Sequence, residues 1–282
     1  MRWLIAIPVY NEQGYVRRVL EKVLAQARAI EAGHDGLRVD VLAIDDGSTD
    51  HTPCLLAQQR VDVIRHATNH GYGRSLRDAF RWAIANGYDW VLTMDCDEQH
   101  EPAAIPQFVS RAALGDADVI SGSRYLRPDA RDDSAPAERA SINALVTREV
   151  NERLGLRITD AFCGFKAYRV RSLRRLDLTV DGYAFPMQFW AQAVAQRLRI
   201  VELPVRRIYK DMTRSFGNGL DDGQVRLALY RRVLLEEIER FADRLPAAAL
   251  SGLPATGARE PDAGRGRGSS DDGSCASAYC RL

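Results

Sequence analysis

Long apolar runs are missing from this chain. No window approaches the roughly 18–20 unbroken apolar residues a membrane-crossing helix needs, which points to a soluble or peripheral protein. The one apolar stretch at the start, residues 1–9, breaks at Pro8 and has no cleavage site, so it reads as a first strand and not as a signal peptide. Lysine is almost absent: Lys22, Lys166 and Lys210 are the only ones, and arginine supplies the remainder of the 39 basic side chains. Against 38 acidic residues they leave a net charge of +1, which removes the electrostatic footprint of a nucleic-acid binder. No Gly-x4-Gly-Lys-Ser/Thr pattern occurs, which argues against a P-loop nucleotidase. A nucleotidyltransferase, which wants a glycine-rich, lysine-bearing phosphate loop near its start, is disfavoured by the same gap. Cysteine is sparse and scattered over Cys54, Cys96, Cys163, Cys275 and Cys280. The odd count and the lack of zinc spacing argue against a disulfide framework or a zinc site, and a reducing cytoplasm is the expected compartment.

What is present alternates. Apolar strands are predicted at residues 3–9, 39–44, 61–65, 89–94 and 117–121. Between them lie amphipathic helices at 12–32, about 50–59, 74–86 and 101–114, the first with Val16, Val19, Leu20, Val23 and Leu24 on one face. Ser48, Thr49 and Asp50 are candidate caps for the second helix. Such alternation implies an α/β fold with a largely parallel sheet covered on both faces. The second half is less regular. It has a polar loop at 127–138, helices at 139–154, 184–197 and 221–245, an extended segment at 162–168 and one or two strands over 200–209 broken at Pro204. From residue 246 onward the composition of Ala, Gly, Ser, Pro, Asp and Arg predicts a disordered tail to 282.

In an open parallel sheet, ligands bind beyond the carboxyl ends of the strands. Three strand ends here are rich in oxygen: Pro8-Val9-Tyr10-Asn11-Glu12, Ile44-Asp45-Asp46-Gly47-Ser48 and Met94-Asp95-Cys96-Asp97-Glu98-Gln99-His100. Carboxylates converging on one crevice repel one another, and a cation relieves them. Residues two apart in an extended segment share a side, so Asp95 and Asp97 can address one hard ion, Mg²⁺ or Mn²⁺, with the Gln99 amide oxygen nearby. Such an ion would neutralise a diphosphate leaving group. A solvated turn with capping aspartates accounts for Asp-x-Asp alone better than a metal site does. The second acidic pair on a neighbouring strand tips the balance toward a site. The Gly71-Tyr72-Gly73 loop is weak evidence for phosphate binding, and a structural loop explains it equally.

Taken in order, these motifs, with Asn69-His70-Gly71-Tyr72-Gly73, Ser121-Gly122-Ser123-Arg124-Tyr125, Asp160-Ala161-Phe162-Cys163-Gly164-Phe165-Lys166 and Gly182-Tyr183-Ala184-Phe185, resemble the family 2 glycosyltransferases. The likeness runs from Trp3 to about residue 219 and is strongest to the branch containing dolichyl-phosphate mannose synthase and bacterial polyprenyl-phosphate sugar transferases. It implies a GT-A fold: a Rossmann-like, mostly parallel central sheet with helices on both faces and a smaller acceptor-side region. Residues 1–245 would form the domain, with a nucleotide-sugar half at 1–125 and an acceptor half at 126–245. The implied activity is inverting transfer of a sugar from a GDP- or UDP-linked donor to polyprenyl phosphate at the inner face of the membrane, assisted by Mg²⁺ or Mn²⁺. No nucleic-acid partner is implied. Carried over residue by residue, Pro8, Tyr10 and Glu12 would surround the nucleoside, and Ile44 and Asp46 would hold base and ribose. Asp95 and Cys96 would line the donor, Asp97 and Gln99 would ligate the metal with Asp95 beside them, and Arg124 would meet the phosphates.

Three departures from the family pattern stand out. Cys96 replaces the usual small residue between the aspartates. The branch's Arg…Glu-Ser-Lys segment reads Tyr209-Lys210-Asp211-Met212-Thr213-Arg214 here, so Lys210 and Arg214 become candidate diphosphate cations. Gln188 stands where a Glu is common. If the acceptor is a hydroxyl, a carboxylate must take its proton, and Asp160 is the candidate. A backbone-tied junction aspartate would explain Asp160 equally well. The loop 127–138 would close over the donor, and Tyr183, Phe185, Phe189 and Trp190 would form either an acceptor wall or plain core. Two other readings stay open: transfer to a soluble hydroxyl acceptor such as a sugar or glycerate, and a noncatalytic nucleotide-sugar-binding scaffold.

Overall fold

A computed structural model describes residues 1–210, 217 and 219–252. Its centre is a seven-stranded sheet in the order β3-β2-β1-β4-β6-β5-β7. The strands are β1 (Arg2–Val9), β2 (Arg38–Asp45), β3 (Asp62–Arg65), β4 (Trp90–Thr93), β5 (Val119–Ser123), β6 (Lys166–Arg169) and β7 (Ile200–Pro204). All pair in parallel except β6, which runs antiparallel to both neighbours. The helices are α1 (Val16–Gly33), α2 (Thr52–Leu56), α3 (Tyr72–Ala85), α4 (Ile105–Ala113), α5 (Ala137–Leu154), α6 (Val170–Leu173), α7 (Phe185–Ala195) and α8 (Gly223–Arg240).

The central strands are apolar throughout because both faces are covered. Trp3, Ile5, Ile7 and Val9 of β1 join Val16, Leu20 and Val23 of α1 and Phe108 of α4 in one core. The intervening Leu4, Ala6, Leu42 and Ile44 are equally buried, and α3 packs on β1, β2 and β4 to cover them. Trp3 and Trp90 stack across the β1–β4 pair with centroids 5.4 Å apart. β3 is a short edge strand carrying Asp62 and Arg65, charges that suit an exposed edge. Beyond the sheet, α5, α7 and α8 pack on one another.

Several expected boundaries move, each for a visible reason. α1 begins at Val16, not at residue 12, because the amides just after β1 are used elsewhere. Asn11 N donates to Ser48 Oγ at 2.9 Å, Glu12 N to Thr52 Oγ1 at 2.9 Å and Gln13 N to Asp50 Oδ2 at 3.1 Å. Ser48 and Asp50, read as caps for α2, therefore join Thr52 in lacing two strand ends together. Only Asp50 also turns back, accepting from Thr52 N. The region 200–209 holds a single strand, ending at Pro204. The chain also stays folded past residue 246: Ala247–Leu250 form a 3₁₀ turn with Ala249 buried, and Arg153 donates to the Ala249 carbonyl. Residues 1–251 are one compact unit; the tail expected over 253–282 lies outside the described residues. Among the described residues, no helix is long and apolar enough to cross a membrane.

The reversed strand β6 shapes the open end of the sheet. Lys166 pairs with Thr93 of β4 and Ser121 of β5. The loop entering β6, residues 160–165, thus arrives at the carboxyl ends of its parallel neighbours.

Candidate active site

A cavity of about 1240 Å³ opens at the carboxyl ends of the strands. Pro8, Tyr10 and Glu12 reach it from β1, Asp46 from β2, Asp95, Cys96, Asp97 and Gln99 from β4, and Arg124 from β5. The structure thus brings together most of the residues singled out from sequence. Tight loops make the approach possible. Asn11 takes a left-handed backbone (φ 54), which asparagine tolerates, and its side chain accepts from Thr49 N.

Four residues depart from expectation. Ile44 does not line the cavity; strand alternation buries it in the sheet. Asp45 points away, accepting from Ser48 N and pairing with Arg65 at 3.3 Å. Lys210 is not a cavity cation. It binds Glu98 at 3.0 Å, where Arg18 at 2.8 Å and Lys22 at 2.9 Å also converge. The Arg18 bond, against burial and with the two lysines adding, holds that carboxyl far below the usual range. Arg214 lies outside the described residues.

Asp160 is the fourth correction, and it is not placed to act as a base. It is fully buried and does not line the cavity. Its oxygens accept from Arg124 Nε at 2.6 Å, Arg124 NH2 at 2.9 Å, Asn143 Nδ2 at 3.0 Å and the amides of Arg124 and Phe162 at 3.2 Å. Burial alone would raise its pKa, but the Arg124 charge and these bonds bring it to about 2. A carboxylate so acidic takes up no proton at neutral pH. Its effect is to fix the Arg124 guanidinium, whose own pKa rises well above normal because Asp160 outweighs the cost of burial.

At the β4 end, Asp95 sits over Gly164. A Cβ built on Gly164 would meet Tyr72 Oη at 2.6 Å and Asp95 Oδ2 at 2.9 Å, so only glycine lets the Tyr72–Asp95 pair settle there. Burial, then the negative charge of Asp95, raises the Tyr72 pKa far above normal, so the phenol stays protonated and donates. The Asp95 amide donates to His100 Nδ1 at 2.9 Å, which puts the imidazole proton on Nε2. Burial depresses His100 to about 4, so it is neutral. Asp97 Oδ1 accepts from Gln99 N at 3.0 Å, closing the turn that carries both carboxylates to the cavity wall.

Among the described residues, no three His, Cys, Asp or Glu side chains gather closely enough to cage an ion. Asp95 and Asp97 with the Gln99 amide offer the open alternative. Mg²⁺ is commonly held through one or two carboxylates while substrate phosphates and water complete its shell. The donor set fits that chemistry.

The far half of the cavity differs. Ile142, Phe162, Leu229 and Val233 supply apolar walls, and Arg139, Arg226 and Arg232 add cations. Tyr183 lines the cavity and stacks with Tyr72 at 6.0 Å, whereas Phe185, Phe189 and Trp190 are core. Residues 127–138 line no part of the cavity. They are tied to the segment after β7: Asp133 N donates to the Arg207 carbonyl, Arg207 N to Asp132 and Tyr209 N to Asp133. Sequence reasoning missed the three arginines, because nothing in α5 or α8 marks which arginine of an arginine-rich helix faces inward. It also missed Gly164 as a steric requirement, although the glycine lies inside the Asp160–Lys166 motif.

A Rossmann-like parallel sheet with one reversed strand, ending in a cavity with Asp-x-Asp at its wall, defines a nucleotide-sugar glycosyltransferase of the GT-A type. Residues 4–177 match the profile of Glycosyl transferase family 2, and the chain belongs to that family. It is 30% identical over 227 residues to an undecaprenyl-phosphate mannosyltransferase of Micrococcus luteus, covering 78% of this chain and 88% of that one. It is 29% identical over 213 residues to a polyprenol monophosphomannose synthase of Mycolicibacterium smegmatis, covering 72% and 76%. Among solved structures, glucosyl-3-phosphoglycerate synthase from Mycobacterium tuberculosis in complex with Mg²⁺ and UDP superposes with a TM-score of 0.64 at 16% identity, over 84% of this chain and 79% of that one. That likeness is one of fold.

Proposed function

We propose that this glycosyltransferase moves a sugar from a nucleoside diphosphate to a polyprenyl phosphate, working as a peripheral protein at the cytoplasmic face of the membrane. The observation that carries this reading is the two-sided cavity. Strand-end carboxylates line one half; apolar side chains and three arginines line the other. Its volume exceeds the ~300–1,000 Å³ usual for one small ligand and suits a donor together with the head of an acceptor. The names of the two relatives, an undecaprenyl-phosphate mannosyltransferase and a polyprenol monophosphomannose synthase, support the same choice.

In this reading Pro8, Tyr10, Glu12 and Asp46 surround the nucleoside, and Asp95 and Cys96 line the donor. Asp97 and Gln99, with Asp95 beside them, hold the divalent ion. The ion, Mg²⁺ or Mn²⁺, supplies charge neutralisation at the diphosphate. Arg124, fixed by Asp160, presents its guanidinium to the departing diphosphate, where preorganised charge is most effective. An oxygen of the acceptor phosphate attacks the anomeric carbon as the bond to the donor diphosphate breaks, and that electron pair leaves on the diphosphate with inversion. A phosphate acceptor is already anionic and needs no base, which agrees with Asp160 being committed to Arg124. Residues 1–125 serve the donor and 126–245 the acceptor.

The test is a panel of UDP- and GDP-sugars offered with polyprenyl phosphate or with soluble acceptors, with and without Mg²⁺ or Mn²⁺. Transfer to polyprenyl phosphate should need the ion, and Asp97→Ala should lower it at least about 10²-fold, the scale of several kcal/mol of lost charge stabilisation. Transfer to soluble hydroxyl acceptors alone would overturn the acceptor assignment. Full activity in Asp97→Ala would overturn the ion assignment, and binding without turnover would favour a scaffold.

A further inference from the structure

His66 lies behind the donor half of the cavity, at the end of β3, and is nearly buried. Its Nδ1 is 2.7 Å from Asp46 Oδ1 and its Nε2 is 3.1 Å from Asp78 Oδ2. Both partners are carboxylates. A neutral imidazole donates from one nitrogen and presents a lone pair at the other, so it would set a lone pair against one carboxylate. Only the cation donates to both.

We propose that His66 is a positioning residue for donor binding: its doubly bonded imidazolium holds Asp46, and through Asp46 the loop at 69–71, in the shape that meets the nucleoside. Asp46 lines the cavity and also accepts from His70 N at 2.9 Å and Gly71 N at 2.8 Å. Gly71 has φ 101, and a Cβ there would meet the Asp181 carbonyl at 2.6 Å, so the loop has one fit. Asn69, Gly71, Tyr72 and Ser75 line the cavity beside Asp46. The chain of charges continues outward: Asp78 accepts from Arg74 Nε at 2.7 Å and Arg81 NH1 at 2.8 Å.

The groups facing His66 are Asp46 at the end of β2, Asp78 on α3 and the edge of the His70 ring at 5.3 Å. Arg74 and Arg81 are engaged by Asp78, and the neighbouring Arg65 by Asp45. The bonds to Asp46 and then Asp78, against burial, raise His66 to about 9. A group raised in this way keeps its proton through neutral pH and loses its contribution as pH climbs through that value.

The inference rests on the proposed donor reading, and the experiment separates the two. Donor KM and kcat are measured from pH 6 to 10 for wild type, Asp78→Asn and His66→Asn, with the UDP- or GDP-sugar the wild type uses. Wild-type donor KM should rise on passing pH 9 while kcat changes less. Asp78→Asn removes one carboxylate, so the rise should move to lower pH. His66→Asn should raise donor KM about tenfold or more, the worth of a hydrogen bond to a charged group, and abolish the step. Ring ¹⁵N shifts of the wild type should show both His66 nitrogens protonated at pH 7.5. An Asp78→Asn profile that superimposes on wild type, or a singly protonated ring, overturns the inference. Absence of donor turnover by wild type at any pH overturns the donor reading instead, and the ring shifts then decide the state of His66.

Discussion

At the scale of single residues, the site is built by side chains that hold other side chains. Asp95 is set by Tyr72 and His100, Arg124 by Asp160, and Asp46 by His66. Gly164 is the plainest case, since it acts by having no side chain. Gly164→Ala places a methyl within 3 Å of both Tyr72 Oη and Asp95 Oδ2. Asp95 must shift while the core beneath is untouched. The expected outcome is a loss of transfer of about 10²-fold, the cost of roughly 1 Å misplacement at a reacting centre, with little change in melting temperature. Steady-state kinetics beside a thermal melt check both halves. Most of the cavity's carboxylates were legible in the sequence because strand ends in parallel sheets are where ligands bind, and Asp46, Asp95 and Asp97 lie at two of them. The role of Asp160 was not. Its acidity depends on Arg124 and Asn143, side chains 36 and 17 positions away that only the tertiary fold brings together.

Elements show a similar division. The strands and helices of the first half follow from apolar periodicity, since each is either a buried run or an amphipathic face. Their boundaries shift where loop side chains take backbone amides, as Ser48, Asp50 and Thr52 do after β1. The direction of β6 had no local signal: Lys166–Arg169 reads as an extended segment whichever way it runs. The α7–α8 contact is another long-range feature. Glu237 of α8 is buried and accepts from Gln188 Nε2 at 2.6 Å and Gln192 Nε2 at 2.9 Å. The Gln188 carbonyl in turn accepts from the amides of Thr179 and Val180, just ahead of cavity residue Tyr183. The departure from the family's Glu at position 188 thus has a local reason, because a carboxylate there would face Glu237. Glu237→Ala strands two buried amides, and a destabilisation of about 1.5–3 kcal/mol is expected. It would be read as a lower urea midpoint with an unchanged slope.

For the whole molecule, every described residue of the cavity lies in the compact unit of residues 1–251. A chain ending at Ser251 is therefore expected to keep the melting temperature and the transfer rate of the 282-residue chain within about 0.5 kcal/mol, the scatter of neutral surface changes. Differential scanning calorimetry and the transfer assay measure this directly. A marked loss in either would show that the chain beyond 251 takes part. The proposed division into donor and acceptor halves is a division of the cavity's lining, since one sheet runs through both.

That sheet is joined at a single place. Among the described residues, β6 is the only strand linking β3-β2-β1-β4 to β5-β7, and it is made after β5 but before β7. During synthesis, at ~5–20 residues per second, the four-stranded portion can assemble as soon as β4 leaves the ribosome. β5 then waits some forty residues for its first partner. Over that interval the outer edge of β4 and both edges of β5 are open to pairing with any other extended chain. A nascent chain released from the ribosome only as far as residue 160 would carry these open edges, and the arrival of four residues, Lys166–Arg169, ends the exposure of β4.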